Sequence, residues 1–180
     1  MTLLEIIQPD NPTLRRKAHR ITSFQDKKLQ TFIDDMIETM KDARGVGLAA
    51  PQVNRSLRLI VVYLPDDTEE DREEYGEHAG VLFVVANPKI IKSSRKMVKG
   101  VEGCLSIPGW LGEVERHESV VVTGQDRDGK PFRIKAHDWL ARVFQHEIDH
   151  LDGRLFIDLT DKIWQPDEED SDEELNVEEA

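Results

Sequence analysis

The sequence has a single cysteine, Cys104, and few aromatic residues, which make up 6% of its 180 residues. One cysteine cannot form a disulfide within the chain, so we expect a protein of a reducing compartment. No apolar run approaches membrane-spanning length, and residues 1–8 lack the charged-then-apolar pattern of a secretory signal. Basic residues are not interleaved with aromatic ones, as they are in patches that follow a nucleic-acid backbone. The sequence therefore predicts a soluble, cytoplasmic protein with no membrane segment and no evident nucleic-acid site.

Basic residues are also few relative to acidic ones, which gives a net charge of −12, but the excess is confined to two segments. Asp167–Ala180 contains nine acids and no base, and Asp66–Glu77 contains eight acids and one arginine. These segments carry −9 and −7 of the total of −12, so the rest of the chain carries +4. Such segments repel themselves and have little apolar surface to bury. We predict one domain over residues 1–166, with a solvated acidic insertion at 66–77 and a mobile acidic tail at 167–180.

Apolar residues recur at helical spacing in two long stretches. The first follows Ser23 and Asp26, which resemble a capping box, and runs from Leu29 to Met40. The second lies within residues 137–155 and is closed by Asp152 and Gly153. Between the two helices, runs rich in valine, isoleucine and leucine predict strands, with a turn at Asn87-Pro88 and an acidic connection before residue 81. The predicted strands span residues 57–63, 81–86, 89–93, 97–102, 113–123 and 132–136, with a last one at 155–159. This order predicts a single α+β domain with mostly antiparallel sheets packed around the C-terminal helix.

The most informative stretch is the pentad His146-Glu147-Ile148-Asp149-His150 in the second helical run. Residues four apart on a helix project from one face, so the two histidines could hold one metal ion. Glu147 is better placed to take a proton from a metal-bound water than to bind the metal. A solvated helical face is the alternative. Apolar neighbours at helical spacing favour a half-buried helix, in which imidazoles need partners.

Two histidines leave a catalytic tetrahedral metal one protein ligand short, because the fourth position is kept for water. Cys104 is one candidate because it lies in a turn-like segment after a predicted strand; the other histidines and many acids are further candidates. A bound metal would lower the pKa of the thiol, so that the thiolate dominates at neutral pH. Without a metal, Cys104 reads as a small core residue.

A third segment, Gly45-Val46-Gly47-Leu48-Ala49-Ala50-Pro51-Gln52, has two glycines around one apolar residue. Glycines let a backbone come close to another group, although a simple turn at the end of the first helix explains them equally well. The segment lacks the Lys-Ser/Thr ending of a phosphate loop, which excludes that type of nucleotide site.

Three blocks in order resemble the signature motifs of the peptide deformylase family. They are Gly45–Gln52, Glu102-Gly103-Cys104-Leu105-Ser106, and Gln145–His150. The resemblance covers Leu3 to Leu159 and leaves out the acidic insertion and tail. It implies a metal-dependent hydrolase that removes the formyl group from the N-formylmethionine of newly synthesised proteins and releases formate, with metal-activated hydroxide attacking the formyl carbon.

The resemblance also implies roles for individual residues. The metal ligands would be Cys104, His146 and His150, and Glu147 would be the general base and acid. Gln52 and the backbone N–H of Leu105 would contact the formyl oxygen. One divalent metal is expected, Fe²⁺ first, with Zn²⁺, Ni²⁺ or Co²⁺ able to occupy the same site.

The substrate implied by the resemblance is an N-formylmethionyl nascent peptide, met close to the ribosome. By position, the methionine pocket would be lined by Val46, Leu105 and Val143, with Trp139 a further candidate. The peptide beyond the methionine would add as a strand beside Gly45, Val46 and Gly47, through main-chain hydrogen bonds that ignore its sequence.

Several neighbours of the motifs are candidates for supporting roles. Glu102 could pair with Arg116 to brace the cysteine loop, and Asp149 could orient a ligand or cap its own helix. Arg142 lies one turn before His146, where an aliphatic residue is ordinary, and its role stays open. In the family a basic residue can occupy the position of Leu111, so the chain departs from the pattern there.

Two other functions fit parts of the sequence. A metallopeptidase that cuts internal peptide bonds would use the same histidine pentad. A catalytically silent module could instead bind a basic partner through the acidic tail, Asp167–Ala180.

Overall fold

The computed structural model describes residues 2–166, so the predicted acidic tail at 167–180 lies outside the described residues. Within this part of the chain there are three α-helices, at Lys27–Asp42 (α1), Glu69–Tyr75 (α2) and Asp138–Leu151 (α3). The strands are Gly47–Ala49 (β1), Leu59–Tyr63 (β2), Leu82–Ser93 (β3), Met97–Glu102 (β4), Leu111–His117 (β5), Ser119–Gln125 (β6), Pro131–His137 (β7) and Ile163–Trp164 (β8).

The strands form two antiparallel sheets. The larger has the order β1-β2-β3-β6-β7, and the smaller has the order β4-β5-β8. Helix α3 packs on the larger sheet, where its apolar side chains join those of β2, β3, β6 and β7 in one core cluster. The predicted α+β class, with antiparallel sheets around a C-terminal helix, is confirmed.

Strand β2 is buried on both faces, which explains its unbroken apolar sequence. Ile60 and Val62 belong to the core cluster under α3, whereas Leu59 and Val61 belong to a second cluster under α1. Successive side chains of a strand point to opposite faces, so one strand serves both cores. The edge strand β1, which lies within the predicted Gly45–Gln52 motif, is held by pairing to β2.

Helix α1 begins later than its sequence suggests. Asp26, and not Ser23, is the N-cap residue, because its carboxylate accepts a hydrogen bond from the backbone N–H of Lys28 at 2.9 Å. The prediction of a capping box at Ser23 is therefore wrong. The apolar stripe that follows is buried in the second core cluster as predicted.

The predicted turn at Asn87-Pro88 is wrong, because both residues lie inside the single strand β3. The pairing of β3 with β6 shifts register between Ala86 and Lys89, and Asn87 has a φ of 52°. The side chain of Asn87 also pairs with the backbone of Ile21 in the way a neighbouring strand would. Its Oδ1 accepts a hydrogen bond from Ile21 N at 2.8 Å, and its Nδ2 donates to Ile21 O at 2.9 Å. The local signal for a turn thus marks a β-bulge.

The acidic insertion at 66–77 is not only a solvated connection, because it contains α2. Thr68 and Asp71 form a reciprocal capping box at its start. Three acidic residues in the first turn also interact favourably with the positive end of the helix dipole. Tyr75 at its end is buried in the core cluster under α3. One aromatic residue therefore anchors a segment whose charge predicts full solvation.

Three further boundaries differ from the prediction. Residues 113–123 belong to two strands, β5 and β6. The segment predicted as a strand at 155–159 contains a short 3-10 helix, Phe156–Asp158, and the strand that completes the smaller sheet, β8, lies further on. Of the described helices, none combines the length and apolar character needed to cross a membrane.

Candidate metal centre

Helix α3 presents the two histidines of the pentad side by side. His146 and His150 are both buried, their ring centroids are 4.9 Å apart, and their Nε2 atoms are 3.2 Å apart. The helix is fixed by apolar residues that pack on the larger sheet, including Val143, Phe144 and Ile148. The predicted one-turn spacing therefore produces a pair of ring nitrogens converging on one point.

Cys104 comes to this point from the other sheet. It lies two residues after the end of β4, is fully buried, and its carbonyl accepts a hydrogen bond from Ile107 N at 2.8 Å in a tight turn. Its Sγ lies 3.3 Å from Nε2 of His150. The ligand atoms of Cys104, His146 and His150 all lie within 4.8 Å of one another.

These three donors fit a divalent transition metal. Metal–nitrogen bonds of about 2.0–2.1 Å and metal–sulfur bonds of about 2.3 Å at tetrahedral angles separate neighbouring ligand atoms by about 3.3–3.6 Å. The separations of 3.2 Å and 3.3 Å about His150 Nε2 are close to these values. Imidazole and thiolate are also the ligands that zinc and iron accept in proteins, whereas magnesium and calcium prefer oxygen.

Glu147 is the residue next to His146, and it is 0% exposed. Neither of its carboxylate oxygens has a hydrogen-bond partner among the described residues. Burial and then the negative charge of Glu102 raise its pKa well above the usual range, and Arg116 opposes the shift. An unpaired buried carboxyl group with a raised pKa is the form expected of a general base and acid.

Strand β1 lies directly against this carboxylate. A Cβ atom added at Gly47 would lie 2.8 Å from the carboxyl carbon of Glu147, closer than real Cβ contacts. The glycine at this position therefore makes room for the carboxyl group. A simple turn at the end of α1 would not require such a close approach, so the turn alone does not explain this glycine.

Gln52 reaches the cysteine from a short 3-10 helix, Ala50–Val53, that follows β1. It is fully buried, its Oε1 accepts a hydrogen bond from Ala49 N at 2.8 Å, and its Nε2 donates to Cys104 Sγ at 3.6 Å. The bond to Ala49 fixes the orientation of the amide. The N–H donors are thereby turned toward the three candidate ligands.

The remaining predicted site residues separate into two groups. Val46 and Val143 lie in the core cluster under α3, and Trp139 packs against that cluster. Leu105 packs against the other cluster, under α1. Gly45 is buried, and its N–H donates to Met40 O at 2.9 Å, which closes the end of α1. The structure thus places the two valines in one core cluster and Leu105 against the other.

A buried ionic network stands behind the histidines. Arg116 donates from Nε and Nη2 to the two oxygens of Glu102, both at 2.9 Å, and from Nη1 to Asp149 at 2.5 Å. The second oxygen of Glu102 also accepts from Nδ1 of His146 at 2.9 Å. This contact leaves Nε2 of His146 to face the other two ligand atoms. Although burial opposes ionisation, the hydrogen bonds from Arg116 and His146 hold the pKa of Glu102 well below its usual range.

The network confirms the predicted pair of Glu102 and Arg116. Asp149 contacts a basic partner on each side, Arg116 and Arg154. Arg142, whose role the sequence left open, donates from Nη1 to Glu102 at 2.8 Å. In the sequence, the one sign of this role is that Arg142 is charged although it lies in the apolar stripe of α3, where an aliphatic residue is expected.

Comparison with known proteins agrees with this geometry. The family model described as polypeptide deformylase matches residues 3–165. A peptide deformylase of Symbiobacterium thermophilum is 46% identical over 180 residues, covering 100% of this chain and 76% of that protein. Peptide deformylase 2 of Vibrio vulnificus is 45% identical over 166 residues, covering 92% and 90% of the two chains.

Solved structures agree as well. The peptide deformylase of Legionella pneumophila has a TM-score of 0.76 at 42% identity, covering 88% of this chain and 86% of that one. The Ehrlichia chaffeensis peptide deformylase in complex with actinonin has a TM-score of 0.81 at 37% identity, covering 90% and 91%. The chain therefore belongs to the peptide deformylase family, the hydrolases that remove the N-formyl group from nascent peptides.

Proposed function

We propose that the chain hydrolyses the formyl amide of N-formylmethionyl peptides at one divalent metal ion held by Cys104, His146 and His150. The observation that carries the proposal is the meeting of these three buried ligand atoms, all within 4.8 Å, next to a buried carboxyl group that has no hydrogen-bond partner within residues 2–166. A metal ion bound there would supply Lewis acidity, which lowers the pKa of water and polarises a carbonyl oxygen.

Glu147 would transfer the proton in both halves of the reaction. Its carboxyl group is fully buried and has no hydrogen-bond partner among the described residues, so it is available to take a proton from the attacking water and to return that proton to the departing amine. Glu102 is bound by arginine and would transfer a proton poorly, so we assign proton transfer to Glu147 and not to Glu102. The space provided at Gly47 supports this assignment, because it keeps the carboxyl group against the strand that would bind the peptide.

The oxygen of the formyl group becomes negatively charged as water adds to the carbon. Gln52 Nε2 would donate to it, since the amide is held by Ala49 and faces Cys104. The backbone N–H of Leu105, the residue after the cysteine, would donate from the other side. Each such donor typically contributes on the order of 3 kcal/mol to stabilising the transition state.

The substrate backbone would bind at the edge of the larger sheet. Among the described strands, β1 is at the end of the strand order and pairs with β2 alone, so its second edge would accept a peptide in extended form. Pairing through Gly45, Val46 and Gly47 would use main-chain groups and would accept many sequences after the methionine. Val46 and Val143, which share a core cluster, support a methionine pocket on that side, with Leu105 on the other.

The ligand set of one thiolate and two imidazoles suits Fe²⁺, which we expect as the working metal, and it also accepts Zn²⁺, Ni²⁺ or Co²⁺. Because the substrate is a nascent chain, the enzyme would work in the cytoplasm close to ribosomes.

The test is formate release from formyl-Met-Ala-Ser by protein purified anaerobically with iron. We expect turnover by the parent protein and its loss in Glu147→Ala and in Cys104→Ala. A longer unformylated peptide with several internal bonds, given to the same protein, tests the metallopeptidase alternative. Cleavage of that peptide without formate release from the first would overturn the proposal, and so would normal turnover in Glu147→Ala.

A further inference from the structure

Arg142 is a buried arginine on the face of α3 that carries the metal-binding histidines, one turn before His146. It is 6% exposed. Its Nη1 donates to Glu102 Oε1 at 2.8 Å and to Val114 O at 2.9 Å, and its Nη2 donates to Val98 O at 2.8 Å. The guanidinium group thereby ties α3 to β4 and β5 at once.

Strand β4 makes space for this group at Gly100. A Cβ atom added there would lie 2.8 Å from Cζ and Nη2 of Arg142 and 2.9 Å from its Nε. Gly100 is not among the residues with positive φ, so its backbone conformation does not require glycine. The missing side chain is instead explained by the guanidinium that fills its place, and Gly100 and Arg142 form a complementary pair.

Glu102 lies two residues after Gly100 on the same strand and connects the pair to His146. Both of its oxygens are engaged by Arg116, one also by Arg142, and the other by His146 Nδ1. A fully buried carboxylate with donors on both oxygens cannot rotate without losing charge-assisted hydrogen bonds. The orientation of the His146 ring is therefore set by groups that never touch the metal site themselves.

We propose that Arg142 is a positioning residue of the metal centre: seated against Gly100, it locks Glu102 in the orientation that directs Nε2 of His146 toward Cys104 and His150. The inference rests on the proposed ligand set. Its consequence is retention of the metal, because a histidine held in its binding orientation loses less freedom when the metal binds. Arg116 alone still holds Glu102 but leaves one oxygen with a single donor.

The experiment measures the rate at which Co²⁺ leaves the full-length, Co²⁺-loaded protein for a chelator, together with its visible absorption spectrum. We expect Arg142→Met to raise the rate about 10- to 100-fold and to shift the spectrum, as loss of a partner behind a ligand typically does. The rate of metal loss from Arg142→Lys should lie between those of the parent and Arg142→Met. A lysine ammonium group can bind Glu102 but cannot also donate to the backbone carbonyls of both β4 and β5. Arg133→Met is the control: Arg133 is an exposed arginine of β7, on the other sheet from Glu102, and its loss should leave the rate unchanged.

A double substitution tests the pairing with Gly100. Gly100→Ala alone should also speed metal loss, because the guanidinium must move. In the Arg142→Met background the same change should add nothing further, since the group it displaces is gone. Additive effects would overturn the pairing, and unchanged rates and spectra in both single variants would overturn the positioning role. Should Arg142→Met fail to fold, Arg142→Lys and Gly100→Ala make the same comparison.

The two proposals fail differently. Parent protein that binds no Co²⁺, or Cys104→Ser protein that binds it equally well, would refute the ligand set. Parent protein that binds Co²⁺ while Arg142→Met releases it no faster would refute only the role of Arg142.

Discussion

Glu147 combines full burial with the lack of any hydrogen-bond partner for its carboxylate among the described residues. An amide of the same shape at this position cannot accept the proton of the attacking water, so we expect Glu147→Gln to lower kcat by about 100- to 10,000-fold. Because burial disfavours the charged carboxylate, the variant should be at least as stable as the parent. Kinetics and thermal unfolding measure the two effects, with the exposed Glu115→Gln as control. Near-normal kcat in Glu147→Gln would remove this residue from the mechanism.

Gly47 provides a second test of the same carboxyl group. In Gly47→Ala the new methyl group would lie 2.8 Å from the carboxyl carbon of Glu147 and force it to move. A displacement of about 1 Å at a reacting group can cost about 100-fold in rate, so we expect a loss of that order in kcat. Crowding of a packed site should also lower the free energy of unfolding by about 1–3 kcal/mol.

The effect of Gly47→Ala should depend on Glu147. In a Glu147→Gln background the methyl group has no proton-transferring group to displace, so the second change should lower kcat little further. A full additional loss would show that the methyl group acts on peptide binding at β1 instead, and KM would then carry the change.

At this scale the sequence was informative where spacing carries chemistry. The spacing of four residues between His146 and His150 predicted that their ring nitrogens lie close together, because helix geometry brings such residues to one face whatever the position of the helix in the fold. The link from Glu102 to His146 and Arg142 was not predictable, because it depends on which strands lie next to α3. Arg142 could only be noticed as a charge in an apolar stripe, and its partner space at Gly100 is 42 residues away in the sequence.

At the scale of elements, the bulge in β3 is fixed by one side chain. Asn87 has positive φ, exchanges hydrogen bonds with both backbone groups of Ile21, and donates to Gln125 at 2.8 Å. Asn87→Ala loses these bonds, and alanine tolerates the left-handed conformation less well than asparagine, so we expect a loss of about 2–4 kcal/mol in the free energy of unfolding. Urea denaturation measures it.

Asn87→Gly separates the two causes. Glycine accepts the positive φ but makes no side-chain hydrogen bonds, so it should be less destabilising than alanine by about 1 kcal/mol. Equal stability of the alanine variant and the parent would mean that the bulge does not depend on Asn87.

The errors of sequence interpretation are also concentrated at this scale. Asn87-Pro88 has turn composition, yet β3 continues through it because the bulge absorbs the extra residue. Charge density in the acidic insertion predicted solvation, yet the capping box at Thr68 and burial of Tyr75 produce α2. At Asn87 local composition was overruled by tertiary pairing, which a single sequence does not display. At α2 the capping signal is local, and only the burial of Tyr75 is tertiary.

At the scale of the whole molecule, every residue assigned to chemistry lies within residues 2–166. We therefore expect removal of Asp167–Ala180, with its nine acids, to leave kcat/KM for formyl-Met-Ala-Ser unchanged. Steady-state kinetics of the truncated chain beside the full chain decides the point. A protein that loses turnover on truncation would place part of the active site in the tail, and loss of partner binding alone would favour the alternative of an interaction module.

A metal ion bound by Cys104, His146 and His150 would join the two sheets, so we expect its removal to destabilise the protein. Cys104 follows β4 of the smaller sheet, and both histidines lie on α3, which packs on the larger one. A ligand that binds only the folded state stabilises it by about 4 kcal/mol when present at about 1,000 times its dissociation constant. For a domain of this size, that corresponds to a rise in Tm of roughly 8–16 °C.

A chelator should therefore lower the Tm of the parent protein by this amount, and returning Zn²⁺ should restore it. Cys104→Ser and His150→Ala provide the control, because proteins that have lost a ligand should melt at a Tm that the chelator no longer changes. If neither the chelator nor Zn²⁺ changes the Tm of the parent protein, the three side chains lie close together without binding an ion. The link between the sheets would then rest on contacts that need no metal, since Arg116 and Arg142 already join β4 and β5 to α3.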